Sequence, residues 1–556
     1  MTEAAPGLLP VRPAVTESMV TRDGVRLDAH VHRPDTPGPF PVLLMRQPYG
    51  RKIANTICYA HPAWYAARGF IVAVQDVRGR GTSAGAYRLF ADDRADGADS
   101  VAWAAALPGS NGAVGMYGFS YQGSNQLLAA AAGVPALKAI APAMIGWDLR
   151  TDWAYENGAF CLAASLGWGI QMAAENARLA GDLTAFQELF VASRALPLTD
   201  PVPARPEVIE RHRAYGHYHD WIDRPEDDPY WQAISPSADA EFLAASGPPA
   251  LFVGGWYDSH LPGTLAGYRR IAAGKVPAKL IVGPWAHFPW GRKLGALDFG
   301  ADAVSPVDAL QVRWFDRWLK GIDNGVDREA PVTLFDIGSK DWRRFDRWPD
   351  AGQRLFLGGA GRVALDPGEG VLTTTPGAPA TDHIVHDPWR AVPAVGGTFG
   401  TPPGPVDRGA VDARPDVLTF TTTPFDAPLT LAGSITATLY AGSDAASFDL
   451  SCTLSMITAS GQVLPLADGY RHVAQPSDEP LEVPMRATCC TFAKGEQLRL
   501  SVAAASFPAY PVNPGTGEDP TRSRQIDARI VTLAIAHGVD APSSLTLSIL
   551  QLEETA

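Results

Sequence analysis

The chain has 556 residues, of which 46% are hydrophobic and 19% are charged, so it is long enough for more than one domain and has little scope for disorder. Its formal net charge of −13 disfavours nucleic acid or an anionic membrane as a partner, because either would repel the protein. Five scattered cysteines, and the lack of a signal-peptide pattern in residues 1–20, predict a cytoplasmic protein.

Strand and helix patterns alternate over residues 1–146, which we assign to the first part of an α/β domain. Residues 25–32 alternate apolar and polar side chains, as an edge strand does. Residues 41–45 and 70–74 are continuous apolar runs, typical of strands covered on both faces. A helix pattern follows over residues 92–106. This order predicts a mostly parallel sheet.

Ser120 lies between an apolar strand and an alanine-rich helix predicted over residues 124–132. A serine at such a turn forms a nucleophile elbow, in which the hydroxyl projects from the sheet and the N–H of Tyr121 points at the carbonyl oxygen under attack. Gln122 stands where the common motif has its second glycine, which comes one residue later at Gly123. The motif alone also fits an ordinary turn.

A serine nucleophile needs a base and an orienting carboxylate, and two later strand patterns supply both. Asp258 closely follows the apolar run at residues 249–255, and His287 follows the run at residues 279–283. Serine, aspartate and histidine in this chain order, each beyond a strand, match the α/β-hydrolase arrangement. We therefore predict a catalytic triad of Ser120, Asp258 and His287, on a domain that resumes over residues 247–350.

The intervening residues 147–246 have helix patterns rich in alanine, tryptophan and tyrosine, without strand runs. Because they interrupt the sheet, we predict a helical cap inserted at the edge of the crevice. The apolar stretch at residues 158–174 is short for a membrane span and carries polar residues, so a buried helix is predicted there.

Residues 351–556 are rich in proline, glycine and threonine and contain short alternating runs, for example at 434–440 and 498–502. This pattern predicts a C-terminal all-β domain with a jelly-roll topology. Such a module can bind carbohydrate or pack against the catalytic domain, and we favour packing.

Sequence blocks distributed over nearly the whole chain resemble the CocE/NonD serine hydrolases, the family of the bacterial cocaine esterase. X-Pro dipeptidyl peptidases and α-amino acid ester hydrolases are its relatives. The resemblance implies an α/β-hydrolase fold with a cap and a β domain, and it assigns the same triad. The matching blocks are residues 22–27, 48–49, 75–79, 118–123, 255–258, 283–287 and 506–510.

The same resemblance matches Tyr49 to an oxyanion-hole tyrosine that works with the N–H of Tyr121. The position is physically reasonable, because Tyr49 follows the strand pattern at residues 41–45, where α/β-hydrolases commonly supply their second donor. A phenol donates a strong hydrogen bond to developing negative charge.

Three further residues are assigned to the substrate pocket. Trp168 matches an aromatic residue of the acyl pocket of cocaine esterase, and Phe399 falls near a β-domain loop that reaches that pocket. His260 stands where cocaine esterase has an aromatic residue, which implies a more polar pocket. Core packing is the alternative for Trp168 and Phe399.

These observations predict a serine hydrolase that cleaves small carboxylic esters through an acyl-enzyme, with no cofactor and no metal. Neutral acyl groups are expected to be preferred, because no carboxylate closely follows Asp258. The acids at residues 220–228 look like a solvated loop, and the alternative is that one of them points into the active site. An α-amino acid ester hydrolase or X-Pro dipeptidyl peptidase is the alternative, and an inactive ligand-binding scaffold is a remote one. A homodimer is left open.

Overall fold

The computed structural model describes residues 7–52, 57–350 and 352–550. The first strands of a central mixed sheet, and the helices between them, precede the segment predicted as a cap. The strands are β1 (Val15–Val20), β2 (Arg26–His32), β3 (Phe40–Gln47), β4 (Ile71–Asp76), β5 (Ser110–Phe119) and β6 (Leu137–Ala143). The helices are α1 (Pro62–Ala66), α2 (Asp93–Ala105) and α3 (Tyr121–Ala131).

A helical segment with its own apolar core follows β6. A π-helical turn, Arg150–Ala154, leads into a short hairpin and six α-helices of the described chain. The hairpin strands are β7 (Tyr155–Glu156) and β8 (Ala159–Phe160). The helices are α4 (Leu162–Leu179), α5 (Leu183–Arg194), α6 (Glu207–Arg211), α7 (Tyr218–Asp223), α8 (Pro229–Ile234) and α9 (Ala240–Ser246).

The stretch predicted as a buried helix, residues 158–174, lies mainly in α4. That helix packs Leu166 and Ile170 into the core of the helical segment. Within the described ranges, none of the helices has the length and apolarity needed to cross a membrane.

The sheet resumes after α9 and ends with an antiparallel pair. The strands are β9 (Ala250–Tyr257), β10 (Ala278–Ala286), β11 (Lys293–Leu294), β12 (Leu297–Asp298), β13 (Val332–Asp336) and β14 (Asp341–Phe345). The helices are α10 (Leu261–Ala272) and α11 (Val307–Lys320). The strand order is β1-β2-β4-β3-β5-β6-β9-β10-β13-β14, while β11 and β12 form a separate hairpin.

The inner strands from β4 to β13 pair in parallel, which confirms the predicted mostly parallel sheet. The outer pairings are antiparallel. The alternating segment at residues 25–32 is not the edge strand, because β1 pairs outside it. Most side chains of β1 are exposed, so its sequence lacks the apolar periodicity that would have predicted a strand.

The C-terminal part is all-β, as predicted, with a single α-helical turn, α12 (Gly409–Asp412), in the described residues. The strands are β15 (Gly352–Gly358), β16 (Val371–Thr373), β17 (Ala380–His386), β18 (Val417–Thr421), β19 (Leu429–Ser443), β20 (Phe448–Ile457), β21 (Val463–Val473), β22 (Leu481–Phe492), β23 (Gln497–Ala503), β24 (Val531–His537) and β25 (Ser544–Leu550). Most pairings are antiparallel. The jelly-roll topology and the domain boundaries stay predictions.

Backbone hydrogen bonds join the β domain to the rest of the chain. The N–H of Leu162 donates to the carbonyl of Ala509 at 2.8 Å, which fixes the start of α4. The N–H of Ile337, just beyond β13, donates to the carbonyl of Cys489 at 2.8 Å. The buried carboxylate of Asp336 accepts the N–H of Thr491 at 2.8 Å. The β domain therefore packs on both the central sheet and the helical segment.

Candidate active site

The predicted site residues follow strands whose carboxyl ends lie at one edge of the sheet. Ser120 follows β5, Asp258 follows β9 and His287 follows β10. Tyr49 lies two residues beyond the end of β3. Because these strands are parallel, their carboxyl ends meet at the same edge. Ser120, His287 and Tyr49 line one cavity there.

The backbone of Ser120 is held in a conformation that L-residues seldom adopt, with φ 61° and ψ −127°. Such strain is typical of a nucleophile elbow. Two glycines allow this turn. A Cβ on Gly118, at φ +143°, would lie 2.5 Å from Cβ of Gln122, and one on Gly123 would lie 2.5 Å from Cγ2 of Ile145. The glycine that comes one residue late is therefore required where α3 passes close to the segment after β6.

The Asp258 carboxylate is fully buried, and its Oδ1 lies 2.8 Å from Nδ1 of His287. A carboxylate can only accept, so Nδ1 donates and Nε2 is left as the basic nitrogen. The His287 side chain is 25% exposed, so that nitrogen is accessible from the cavity. This arrangement suits a general base whose tautomer is set by Asp258.

The Tyr49 side chain lines the same cavity as Ser120 and Trp168. Burial raises the pKa of Tyr49 to about 12, and interactions with Trp168, the Arg80 charge and Ser120 offset part of that increase. The phenol therefore keeps its proton at neutral pH, which a donor to an oxyanion requires.

Tyr121 contributes its backbone rather than its side chain. Its phenol donates to the carboxylate of Asp93, which also pairs with Arg46 at 2.7 Å, and its ring stacks on Phe90 at 4.1 Å between centroids. These contacts hold the side chain in the core. The N–H of Tyr121 is at the first position of α3, where an N–H has no partner within the helix.

A cavity of about 960 Å³ opens beside Ser120, and it brings together the three residues assigned to the pocket. Trp168 comes from α4, His260 from the segment before α10, and Phe399 from the β domain. Ligand pockets commonly have this size and a partly aromatic lining. Trp168 and Phe399 line the cavity and also pack against buried apolar clusters, so their assignment to the substrate pocket stays a prediction.

His260 adds polarity to the cavity but no charge at neutral pH. Burial lowers the pKa of His260 to about 4, so its imidazole is neutral. Its ring centroid lies 5.1 Å from that of His287 and 4.1 Å from that of Trp153. A neutral neighbour does not oppose the imidazolium that a general base forms.

Sequence reasoning missed three cavity residues on the π-helical turn, Arg150, Asp152 and Trp153. Trp153 lies 5.1 Å from Trp168 between ring centroids, and together they form an aromatic wall. Asp152 and Arg150 line the same cavity, as does Glu226, which lies 3.9 Å from Arg150. Their position in the chain could have identified them, because residues just beyond β6 lie at the edge of the crevice, as do those beyond β5 and β9.

Asp152 is a cavity carboxyl without an ion-pair partner in the described ranges. Burial raises the pKa of Asp152 to about 7, although the N–H of Asp148 donates to it at 2.9 Å. Glu156, by contrast, is neutralised by Arg486 of the β domain, with 2.6 Å between Oε2 and Nη2. The Arg486 guanidinium also lies 4.9 Å from the ring centroid of Phe399. The β domain thus forms one wall of the cavity.

Comparison with known proteins places these features in a family. The chain is 32% identical to the cocaine esterase of Rhodococcus sp. (strain MB1 Bresler) over 571 aligned residues, which cover 95% of this chain and 97% of the other. The chain belongs to the CocE/NonD family of serine hydrolases. Residues 23–289 match the family described as X-Pro dipeptidyl-peptidase (S15 family), and residues 324–546 match the X-Pro dipeptidyl-peptidase C-terminal non-catalytic domain.

Solved structures agree with this family fold. An aminopeptidase from a marine sediment archaeon, Thaumarchaeota archaeon, has a TM-score of 0.79 at 23% identity, covering 99% of this chain and 98% of that one. An α-amino acid ester hydrolase has a TM-score of 0.77 at 22% identity, covering 97% of both chains. At such identities the likeness supports the α/β-hydrolase fold with its β domain, as predicted from the sequence, and not a substrate.

Proposed function

We propose that this chain is a serine carboxylic ester hydrolase that forms an acyl-enzyme on Ser120. One observation carries the proposal: the strained serine elbow shares a cavity with His287, whose Nδ1 is held 2.8 Å from the buried Asp258 carboxylate. An ester carbonyl in that cavity would meet a nucleophile, a base and donors for an oxyanion.

The reaction proceeds in two halves. Nε2 of His287 takes the Ser120 hydroxyl proton while Oγ attacks the acyl carbon, and Tyr49 and the N–H of Tyr121 donate to the oxyanion. The tetrahedral intermediate collapses, and His287 gives its proton to the departing alcohol. Water then gives a proton to His287 and attacks the acyl carbon; when this second tetrahedral intermediate collapses, the acid leaves and His287 returns the proton to Oγ of Ser120. Apart from substrate and water, each step uses only side chains and backbone groups of this chain.

Tyr49→Phe is expected to lower kcat by about 10²- to 10³-fold with little change in KM, because it removes a donor used mainly in the transition state. Steady-state kinetics with a p-nitrophenyl ester measures the effect. Tyr87→Phe is a matched control, since Tyr87, like Tyr49, is a half-buried tyrosine, and its ring centroid lies 6.3 Å from that of Tyr121. A loss below threefold in Tyr49→Phe would place the second donor elsewhere.

Hydrolysis of α-amino acyl esters is a second candidate, because Asp152 places a carboxyl without a cationic partner in the cavity wall. The aminopeptidase and α-amino acid ester hydrolase with the same fold act on substrates of that kind, as their names state. Burial raises the pKa of Asp152 to about 7, so at lower pH the carboxyl must lose a proton before it can pair with an ammonium group. This cost weakens the binding of amino substrates and favours neutral acyl groups.

Neutral acyl esters are therefore expected to be cleaved with a kcat/KM at least about tenfold higher than amino substrates. The comparison pairs phenylacetyl and butyryl esters with phenylglycine methyl ester and an X-Pro-p-nitroanilide at pH 6. Asp152→Asn is the control, and it should change kcat/KM of the neutral esters by less than about threefold. If an amino substrate is preferred and Asp152→Asn abolishes the preference, the second candidate is correct.

A cytoplasmic location is part of the proposal, supported by five cysteines that are all free thiols. The partner we propose is a small ester that fits the cavity. Sedimentation velocity would test whether two copies of this chain form a homodimer.

A further inference from the structure

Arg80 is a buried cation without a balancing charge. It follows β4 and is 0% exposed. Nη2 donates weakly to the carbonyl of Met172 at 3.4 Å, and Nε and Nη1 have no hydrogen-bond partner among the residues that the structure describes. No carboxylate of those residues pairs with it.

Two other arginines that are buried in the described part of the chain have carboxylate partners. Arg46 pairs with Asp93 at 2.7 Å, and Arg408 pairs with Asp412 at 3.0 Å. Removing a guanidinium from water without such a partner is costly. Destabilising groups of this kind are commonly retained at functional sites, where they contribute to activity.

The position of Arg80 shows which group it can act on. Its guanidinium carbon lies 4.0 Å from the ring centroid of Tyr87, and Arg80 and Tyr49 both line a second cavity, of about 650 Å³, under α4. Its positive charge is felt at both Tyr49 and His217, and in each case lowers the pKa. His217 adds no charge of its own, because burial lowers its pKa to about 3.

The other charged groups around this second cavity do not neutralise Arg80. Glu175 lines the same cavity but is paired with Arg178 at 2.7 Å. Because Arg80 is 0% exposed, its charge is screened less than a charge in solvent. Tyr49 lines both the cavity that contains Arg80 and the cavity beside Ser120, where the oxyanion forms.

We propose that Arg80 is a positioning residue of the oxyanion hole, whose unpaired charge acts through Tyr49 to stabilise the negative carbonyl oxygen in the transition state. This inference rests on the proposed ester hydrolysis. A neutral ester gains little from the charge, whereas the oxyanion gains much, so the effect falls on kcat and not on KM.

Arg80→Met and Arg80→Lys test the proposal with p-nitrophenyl butyrate. Arg80→Met removes the charge and is expected to lower kcat by about 10- to 100-fold, with KM within about twofold. Arg80→Lys keeps the charge and is expected to stay within about fivefold of the unmodified enzyme. The melting temperature of Arg80→Met should be unchanged or higher, because an unpaired buried charge has been removed. Arg80→Gln replaces Arg80→Met if the latter is insoluble.

Two further measurements separate a charge effect from loose packing. A boronic acid forms an anionic tetrahedral adduct on Ser120, so Arg80→Met should weaken its Ki by the same factor as kcat, while a neutral competitive inhibitor keeps its Ki. In a Tyr49→Phe background, Arg80→Met should cost less than about threefold, because the two residues act as a unit. Arg408→Met, in the β domain, is the control for loss of a buried arginine.

The proposal is overturned if kcat of Arg80→Met stays within twofold, if Arg80→Lys is impaired as much as Arg80→Met, or if both inhibitors weaken together. Insolubility of both the Met and the Gln variant would show a structural role and would also overturn it. An unmodified enzyme without Ser120-dependent ester hydrolysis would instead refute the proposed function, so the two failures are distinguishable.

Discussion

Ser120→Ala is expected to lower kcat for a p-nitrophenyl ester by about 10⁶-fold. A catalytic triad acts as a unit, so removal of the proposed nucleophile should remove nearly all of its contribution and leave what binding and the oxyanion donors provide. Among the described residues Ser120 is the one serine with a positive φ, 61°, and it lines the same cavity as His287, so we expect no neighbouring serine to replace it.

The measurement combines steady-state kinetics with fluorophosphonate labelling. Ser259→Ala is the matched control, because Ser259 lines the same cavity and follows Asp258 directly. It should be labelled at the rate of the unmodified enzyme, while Ser120→Ala should not be labelled. Labelling that persists in Ser120→Ala would identify a different nucleophile and refute the triad.

Asp258→Asn is expected to lower kcat by about 10⁴-fold while the protein stays folded. The Asp258 carboxylate is buried and accepts from Nδ1 of His287 at 2.8 Å. An asparagine can present its NH₂ group to Nδ1, which favours the tautomer with its proton on Nε2, so the base is lost. The positive charge that forms on His287 also loses its counter-ion.

A second pair of a buried aspartate and a histidine lies outside the site and provides a closely matched control. Asp449 is buried in the β domain and accepts from Nδ1 of His472 at 2.7 Å. Asp449→Asn should therefore reproduce any general cost of replacing a buried, histidine-paired aspartate. We expect it to lower the melting temperature but to leave kcat within about twofold. Equal losses of kcat in the two variants would mean that Asp258 is structural.

Several elements were predictable because their local patterns agree with their tertiary surroundings. The helix predicted over residues 92–106 is observed as α2, Asp93–Ala105, because this segment is rich in alanine, a strong helix former, and has Asp93 and Asp96 in its first turn, where negative charge is favourable. The predicted helix after Ser120 begins three residues earlier, at Tyr121. Its first turn carries Gly123, whose helix propensity is low, so tertiary packing decides where the helix starts.

The pocket was predictable in part. Trp168, His260 and Phe399 were assigned through a family resemblance, and all three line the cavity. Asp152 and Trp153 were missed because a π-helical turn has no recognisable pattern in a single sequence. Glu226 was assigned to a solvated loop with its acidic neighbours. It lines the cavity mouth, although its side chain is 78% exposed.

The sequence by itself determined the alternation of inner strands and helices in the α/β domain, the mostly parallel sheet and the residues that we propose as a triad. Apolar periodicity and the chemistry of single residues at strand ends are local properties, so they can be recognised from the sequence without a structure. Only the tertiary structure decided which charges are balanced. Arg486 is neutralised by Glu156, which is 330 positions away, whereas Arg80 has no such partner in the described chain. Burial and pairing depend on contacts between distant segments, so the raised pKa of Asp152 and the unpaired charge of Arg80 could not be read from the sequence.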